Sequence, residues 1–371
     1  MTPRERLLAL LSGRPTDRLL VDVGTTTLTA LRPSRAPRRG DGVAYADAVM
    51  HLQALTEAEL VEIGSQTLRC GPVFAAPDFD DDSFVDRDGV GWIWADGEPA
   101  PLTHPLALSD FAGVSRHRRP SLPSISYPDA LGDPQRERVV IADVPSAGLL
   151  DTAFRLRGYY ELLEDTAERW PVANALFDRA ADAIVRDYET MLSLLPGSPD
   201  LVAYGDDLAY QNDLYLSEER FAFFLRPRMS RIFSVIRAKT SAEIVFHSCG
   251  AALPVFREAI AMGARIINFE PAAVGMDVAA VRDKLGPDIV FHGVVDFQAI
   301  AQALEACDEA ALRGVLRTIV EGWPMIAAPL DNLPSTMTLK DLRRVTTFLE
   351  TVEVPRLLSG DLSVGEFGRA A

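Results

Sequence analysis

The sequence is short of positive charge, short of cysteine and free of long apolar runs. Lysine and arginine number 37 against 53 aspartates and glutamates, giving a formal net charge of −16 and a pI near 4.8. That balance excludes a broad basic stripe able to neutralise phosphates, so no nucleic acid is expected as a partner. An anionic substrate would need a local basic pocket. Cys70, Cys249 and Cys307 are the three cysteines of 371 residues and make no disulfide framework, which points to a reducing compartment and a cytoplasmic location. The opening run Leu7-Leu8-Ala9-Leu10-Leu11 soon meets Ser12-Gly13-Arg14-Pro15, which fits no signal-peptide pattern. No apolar stretch approaches bilayer length, so no membrane partner is expected.

What is present is a chain 48% hydrophobic and 24% charged, long enough for one large core or two ordinary domains. In the C-terminal half, β-branched runs alternate with helical patterns. Strands are expected at Leu201 to Tyr204, Glu243 to Phe246, Arg265 to Phe269, Asp288 to Phe291 and Met325 to Ala328. Helices are expected at Leu216 to Lys239, Leu253 to Met262, Val278 to Leu285 and Phe297 to Leu316, with Gly263, Gly286 and Gly322 as left-handed ends. Two further strands, Leu19 to Val23 and Arg138 to Ala142, bring the count to seven. The expectation is an α/β fold, a (β/α)8 TIM-type barrel with an N-terminal extension, as one domain over 1–371.

Residues 30–135 fit this repeat poorly and are expected to form a variable loop and cap. Arg32 to Gly42 reads as an exposed loop. Pro77 to Pro101, with the acidic run Asp78 and Asp80 to Asp82 and the segment Gly91-Trp92-Ile93-Trp94, reads as a hairpin-like cap over the barrel mouth. The acidic run itself reads as a solvated loop.

Chemistry concentrates at Ile244-Val245-Phe246-His247-Ser248-Cys249-Gly250. An apolar strand delivers His247 and Cys249 at its C-terminal end, where barrel active sites gather, and a period of two lets both face one side. Imidazole and thiolate are zinc ligands. On spacing alone the pair reads equally as a buried histidine beside an inert thiol.

Several ordered blocks resemble the uroporphyrinogen decarboxylase superfamily: Tyr204-Gly205-Asp206-Asp207-Leu208, His247-Ser248-Cys249-Gly250, Glu270-Pro271-Ala272-Ala273-Val274-Gly275-Met276-Asp277, and Phe291-His292-Gly293-Val294-Val295-Asp296-Phe297-Gln298. The likeness is dense from about residue 200 to 335. The decarboxylases' early arginine block, Met-Arg-Gln-Ala-Gly-Arg, is replaced by Val21-Asp22-Val23-Gly24-Thr25-Thr26, which removes the cations a tetrapyrrole's carboxylates need. The resemblance therefore implies the methyltransferase branch, in which zinc on a His-x-Cys pair and a later ligand assists methyl transfer to or from a corrinoid.

The branch implies His247 and Cys249 as metal ligands, with Asp331 of Ala327-Ala328-Pro329-Leu330-Asp331 standing where the coenzyme M enzymes have a cysteine. Asp331 reads equally as a turn cap. Asp206, Asp207 and His292 are catalytic candidates, the aspartates also reading as ligands or loop caps and His292 as a satisfied core residue. Tyr204, Met276 and Asp277 are expected to face the cofactor, and Tyr204 with Tyr210 to bracket an aromatic substrate or to pack. Zinc and a corrinoid are the cofactors implied. The partners implied are a corrinoid-carrying protein and a small O- or S-methylated substrate, and a homodimer is allowed. Decarboxylation of a tetrapyrrole is the alternative, followed by a barrel that only binds one.

Overall fold

The computed structural model describes residues 1–32, 45–47, 52–53, 55–74, 83–95, 98–144 and 148–364. Eight parallel strands follow one another in chain order: β1 (Leu20–Val21), β2 (Thr67–Pro72), β3 (Val139–Asp143), β4 (Leu201–Gly205), β5 (Glu243–Ser248), β6 (Ala264–Phe269), β7 (Val290–Val295) and β8 (Met325–Pro329). Each pairs with the next from β2 to β8, and β8 pairs with β1. Between β1 and β2 the link is Gln66, whose N–H donates to Val21 O at 3.0 Å and whose Oε1 accepts from Val21 N–H at 3.4 Å. The ring is the TIM-type barrel that the alternation of strands and helices predicts.

Alternation along the strands sorts side chains into an inner and an outer core. Leu20, Ile141, Ala203, Val245, Ile266, Val290 and Ile326 pack together inside the ring, while their neighbours Val21, Val140, Val202, Phe246, Ile267 and Phe291 pack outward under the helices. Helix α1 (Pro3–Leu11), started by a Thr2–Glu5 capping box, adds Leu7 and Leu10 to the inner cluster and plugs the ring. Arg4 fixes it there, pairing with Asp200 just ahead of β4 at 2.9 Å. Period two then dictates what stands one rung above the apolar layer: Asp22, Asp143, Gly205, His247, Asn268, His292 and Ala328. A dry floor carries a polar rung at the strands' C-terminal ends.

Three local differences from the sequence reading have physical causes. The eighth strand, β2, lies inside the segment read as loop and cap; its inward positions Thr67 and Arg69 and its Gly71-Pro72 end break the apolar pattern. The expected helix from Phe297 to Leu316 is two helices, Phe297–Ala306 and Glu309–Glu321, divided where Cys307 takes φ 54° and Asp308 caps the second. Gly263 is a left-handed cap at φ 112°, whereas Gly322 stays right-handed at φ −85°.

The aromatic hairpin is present with an added third strand, Ser83–Val85, Gly91–Ala95 and Glu98–Thr103. Phe84, Val90 and Trp92 form its own small core. Ion pairs from Arg87 and Arg119 to Asp88 and Asp187 hold it to helix Trp170–Leu194. Residues 77–82 of the expected cap, with Asp78 and Asp80 to Asp82, and residues 33–42 of the expected loop lie outside the described residues.

Candidate metal centre

The site forms where the segment after β4 folds onto the end of β5. Gly250 takes φ 75°, and a Cβ there would meet Ala209 O at 2.5 Å and Tyr210 O at 2.6 Å, so only glycine lets the two segments approach this closely. Hydrogen bonds close the seam: Leu208 N–H donates to Ser248 Oγ at 3.0 Å, and Ala251 N–H to Tyr210 O at 3.0 Å. Asp207 is thereby brought over the strand end, where its Oδ1 accepts the Cys249 N–H at 2.9 Å. The same Oδ1 stands 3.5 Å from His247 Nε2, and Cys249 Sγ stands 3.4 Å from that nitrogen. One ligand-type atom from each of Asp207, His247 and Cys249 lies within 4.8 Å of the others.

The electrostatics are those of anionic groups gathered around one imidazole. Burial opposes a charge on His247, but Cys249 and Asp207 outweigh it and hold its pKa well above the ordinary value. Burial raises the Cys249 thiol, with His247 pulling the other way, while the His247 contact keeps Asp207 below the usual carboxylate range despite its burial. Asp151, whose Oδ2 accepts the Asp207 N–H at 3.3 Å, is held well above the carboxylate range by burial and by its neighbours Asp207 and Asp206. Glu270 adds a further carboxylate, 3.4 Å from Gly250 N. Asp207, His247 and Cys249 are a donor set that could hold a metal ion.

The sequence candidates separate into those the fold brings together and those it does not. His247 and Cys249 meet, and the acid that joins them is Asp207. Asp331 does not join them: its exposed carboxylate turns back to accept the Asn332 N–H at 2.6 Å. Asp206 is buried and faces away, accepting N–H groups of Leu149 at 2.8 Å, Leu150 at 3.0 Å and Asp151 at 3.1 Å, the first turn of helix α2 (Leu149–Arg157). Burial pushes its carboxyl up to about 6 against the pull of those N–H groups. In this structure it anchors the N-terminus of α2. Tyr204, expected to face the cofactor, is fully buried with its hydroxyl 3.2 Å from Asp206. Met276 is buried, and Asp277 caps helix Val278–Leu285 through Ala280 N–H at 3.1 Å. His292 is 1% exposed and lies behind Asn268, out of reach of solvent.

Two groups escaped the sequence reading. Asn268, on β6 in register with both His247 and His292, is reached by counting two from Ile266 along an inward-facing strand. Tyr215 joins an aromatic group with Phe154, Tyr159 and Tyr210, its ring centroids 5.4, 5.7 and 5.7 Å from theirs. Burial first, then Asp207, raises its phenol.

A (β/α)8 barrel with a His, a Cys and an Asp converging at the C-terminal rim of its strands defines the class. The pattern of the family described as Uroporphyrinogen decarboxylase (URO-D) matches residues 150–351, and the chain belongs to that family. No curated protein matches the chain with significance. Among solved structures, a methyltransferase from Methanosarcina mazei is similar over 94% of this chain and 98% of its own, with TM-score 0.60 and 17% identity. That is a shared fold across the whole length. An amidohydrolase overlaps 48% of this chain and 46% of its own at TM-score 0.28 and 12% identity, too little to support any argument. Among the described residues no helix is long and apolar enough to cross a membrane.

Proposed function

We propose that this barrel is a zinc-dependent methyltransferase that moves a methyl group between a small O- or S-methylated substrate and a corrinoid carried by a partner protein. The observation that carries the reading is the convergence of Asp207, His247 and Cys249 within 4.8 Å. Three protein donors of these types are the usual number at a catalytic zinc, and the donor set fits the ion in charge as well as in kind. When bound, zinc would supply Lewis acidity toward the substrate's oxygen or sulfur.

The chain's own residues do the rest. Asp207 supplies negative charge to the site, Cys249 offers a sulfur that would lose its proton to a bound metal, and the Cys249 N–H holds the Asp207 carboxylate in place. The dry layer of Val245, Ile266 and Val290 below closes the floor to water. The Tyr215, Tyr210 and Phe154 rings stand beside the site as an apolar wall against which a methylated substrate can lie. The chain carries no Asp-x-His-x-x-Gly corrinoid block of its own, so the corrinoid comes on a partner.

The alternative, decarboxylation of a polycarboxylate tetrapyrrole, is the weaker reading because the decarboxylases' early arginine block is replaced here by Val21-Asp22-Val23-Gly24-Thr25-Thr26. The reading is tested by incubating zinc-loaded protein with cob(I)alamin and a panel of O- and S-methyl donors and following methylcobalamin formation by absorbance. Formation with at least one donor, lost in Cys249→Ala, is expected. Turnover of uroporphyrinogen with no methyl transfer in either direction would replace the reading with the decarboxylase.

A further inference from the structure

We infer that Asn268 is a positioning residue that fixes which nitrogen of His247 is offered to a metal, and that His292 and Asp22 serve it and not the substrate. The inference deepens the metal reading, but its first observable does not depend on a metal being bound.

Asn268 lies between two imidazoles: its Oδ1 is 2.5 Å from His247 Nδ1, and its Nδ2 is 2.8 Å from His292 Nδ1. The two ends of an asparagine amide have the same shape, so their hydrogen-bond partners assign them. Here a third contact decides between them. The Asn268 Nδ2 position is also 3.0 Å from the backbone carbonyl of His292, and a carbonyl oxygen only accepts. The nitrogen end must therefore face His292, and the oxygen end must face His247. A carbonyl-type oxygen at 2.5 Å requires a proton on His247 Nδ1. That leaves Nε2, the nitrogen beside Cys249 Sγ and Asp207 Oδ1, as the one that can turn a lone pair to a metal once the metal displaces its proton.

The far side of the amide is held as firmly. His292 Nδ1 accepts from Asn268, so its Nε2 carries the proton and donates to Asp22 Oδ2 at 2.8 Å, in a site where His292 is 1% exposed and Asp22 fully buried. Thr67 Oγ1 donates to the other oxygen, Asp22 Oδ1, at 2.6 Å, and in turn contacts Thr25 Oγ1 at 2.6 Å. Every donor from His247 through Asn268 and His292 points the same way, toward a buried carboxylate. Such a chain polarises each bond along it and makes His247 Nε2 the stronger donor. The backbone is shaped for the amide: Gly293 takes φ 89°, and a Cβ there would stand 2.7 Å from Asn268 Nδ2. The His292-Gly293 pair of the sequence is thus explained without a catalytic part for His292.

The experiment uses full-length protein labelled with 15N at its five histidines. Metal-free wild type is expected to show a downfield His247 Hδ1 proton, slow to exchange and coupled to Nδ1. Asn268→Ala should lose that protection, and its affinity for zinc, measured by competition with a chromogenic chelator, should fall by about 10- to 100-fold. Asn268→Asp, which keeps an acceptor for His247, should keep the proton and bind zinc within about tenfold of wild type. If the alanine variant does not fold, Asn268→Leu fills the same space without polar atoms and is read the same way. A bare Nδ1 in wild type overturns the inference, as does full zinc affinity in a folded variant that has lost the proton. If wild type takes up no zinc, the proposed function fails, and the ring protons still decide the part played by Asn268.

Discussion

Replacing Asp206 by alanine separates an aspartate that anchors a helix from the proposed metal ligand Asp207 beside it. The Asp206 carboxylate accepts three successive N–H groups of the first turn of α2 and lies 3.2 Å from the Tyr204 hydroxyl. Each hydrogen bond to a charged group is worth about 1.5–3 kcal/mol, and each buried donor left unpaired costs about 1–3 kcal/mol. These terms overlap because one carboxylate serves all the donors, so the loss expected is roughly 3–5 kcal/mol, as for stripping one partner from a buried charged contact. A local loss of about 3 kcal/mol raises the opening constant of α2 by roughly a hundredfold. Hydrogen exchange of the peptide covering 149–157, read by mass spectrometry, should show that acceleration, with a lower urea midpoint alongside. Asp206→Asn, which keeps one acceptor oxygen, should fall between. Zinc uptake should survive in both variants, because Asp206 faces the helix. Unchanged exchange in 149–157 together with lost zinc would refute the assignment and return Asp206 to the site.

Other substitutions test the frame around the site. Arg157 pairs with Asp165 at 2.8 Å, the two side chains 3% and 0% exposed, and also donates to Leu106 O and to Ser109 O at 2.7 Å; Arg157→Ala should cost about 3–5 kcal/mol in thermal or urea melts, and a loss under 1 kcal/mol would show the pair to be dispensable. Burial pushes the Cys70 thiol up to about 12 from an unfolded value of 9.0. Its contribution is therefore full below pH 9.0 and is lost as pH rises toward 12, so Cys70→Val should flatten the alkaline fall in unfolding free energy, measured by urea melts, by about 1.4 kcal/mol per pH unit; equal slopes would contradict this. Exposed Cys307 should react with a thiol reagent in the native state while Cys70 waits for unfolding, which mass mapping after brief labelling decides.

The barrel was legible wherever a strand is apolar on both faces. The runs at 201–205, 243–248 and 264–269 read directly because inner and outer cores claim alternate residues of each. β2 was hidden because its inner face carries Thr67 and Arg69, which interrupt the apolar signal. The same period-two logic placed His247 and Cys249 on one face from sequence alone. The third acid was not decidable in that way. Asp207 and Asp331 both follow strand ends, and a backbone contact, Gly250 against Ala209 O and Tyr210 O, carries Asp207 inward. The pairing of His292 with Asp22 spans 270 residues, a separation at which no local pattern speaks. Asn268 reads as an ordinary strand residue until its two neighbours in register are known to be histidines.

Asp207, His247 and Cys249 are proposed to hold zinc together. Metal content by mass spectrometry on protein purified without chelator, for wild type, Asp207→Ala, His247→Ala, Cys249→Ala and Asp331→Ala, tests it most directly, with circular dichroism as the check on folding. The account predicts about one zinc per chain in wild type and in Asp331→Ala, and loss of most of it in each of the other three. Wild type that holds no zinc and takes up none when it is offered, or full zinc in a folded Cys249→Ala, would contradict it.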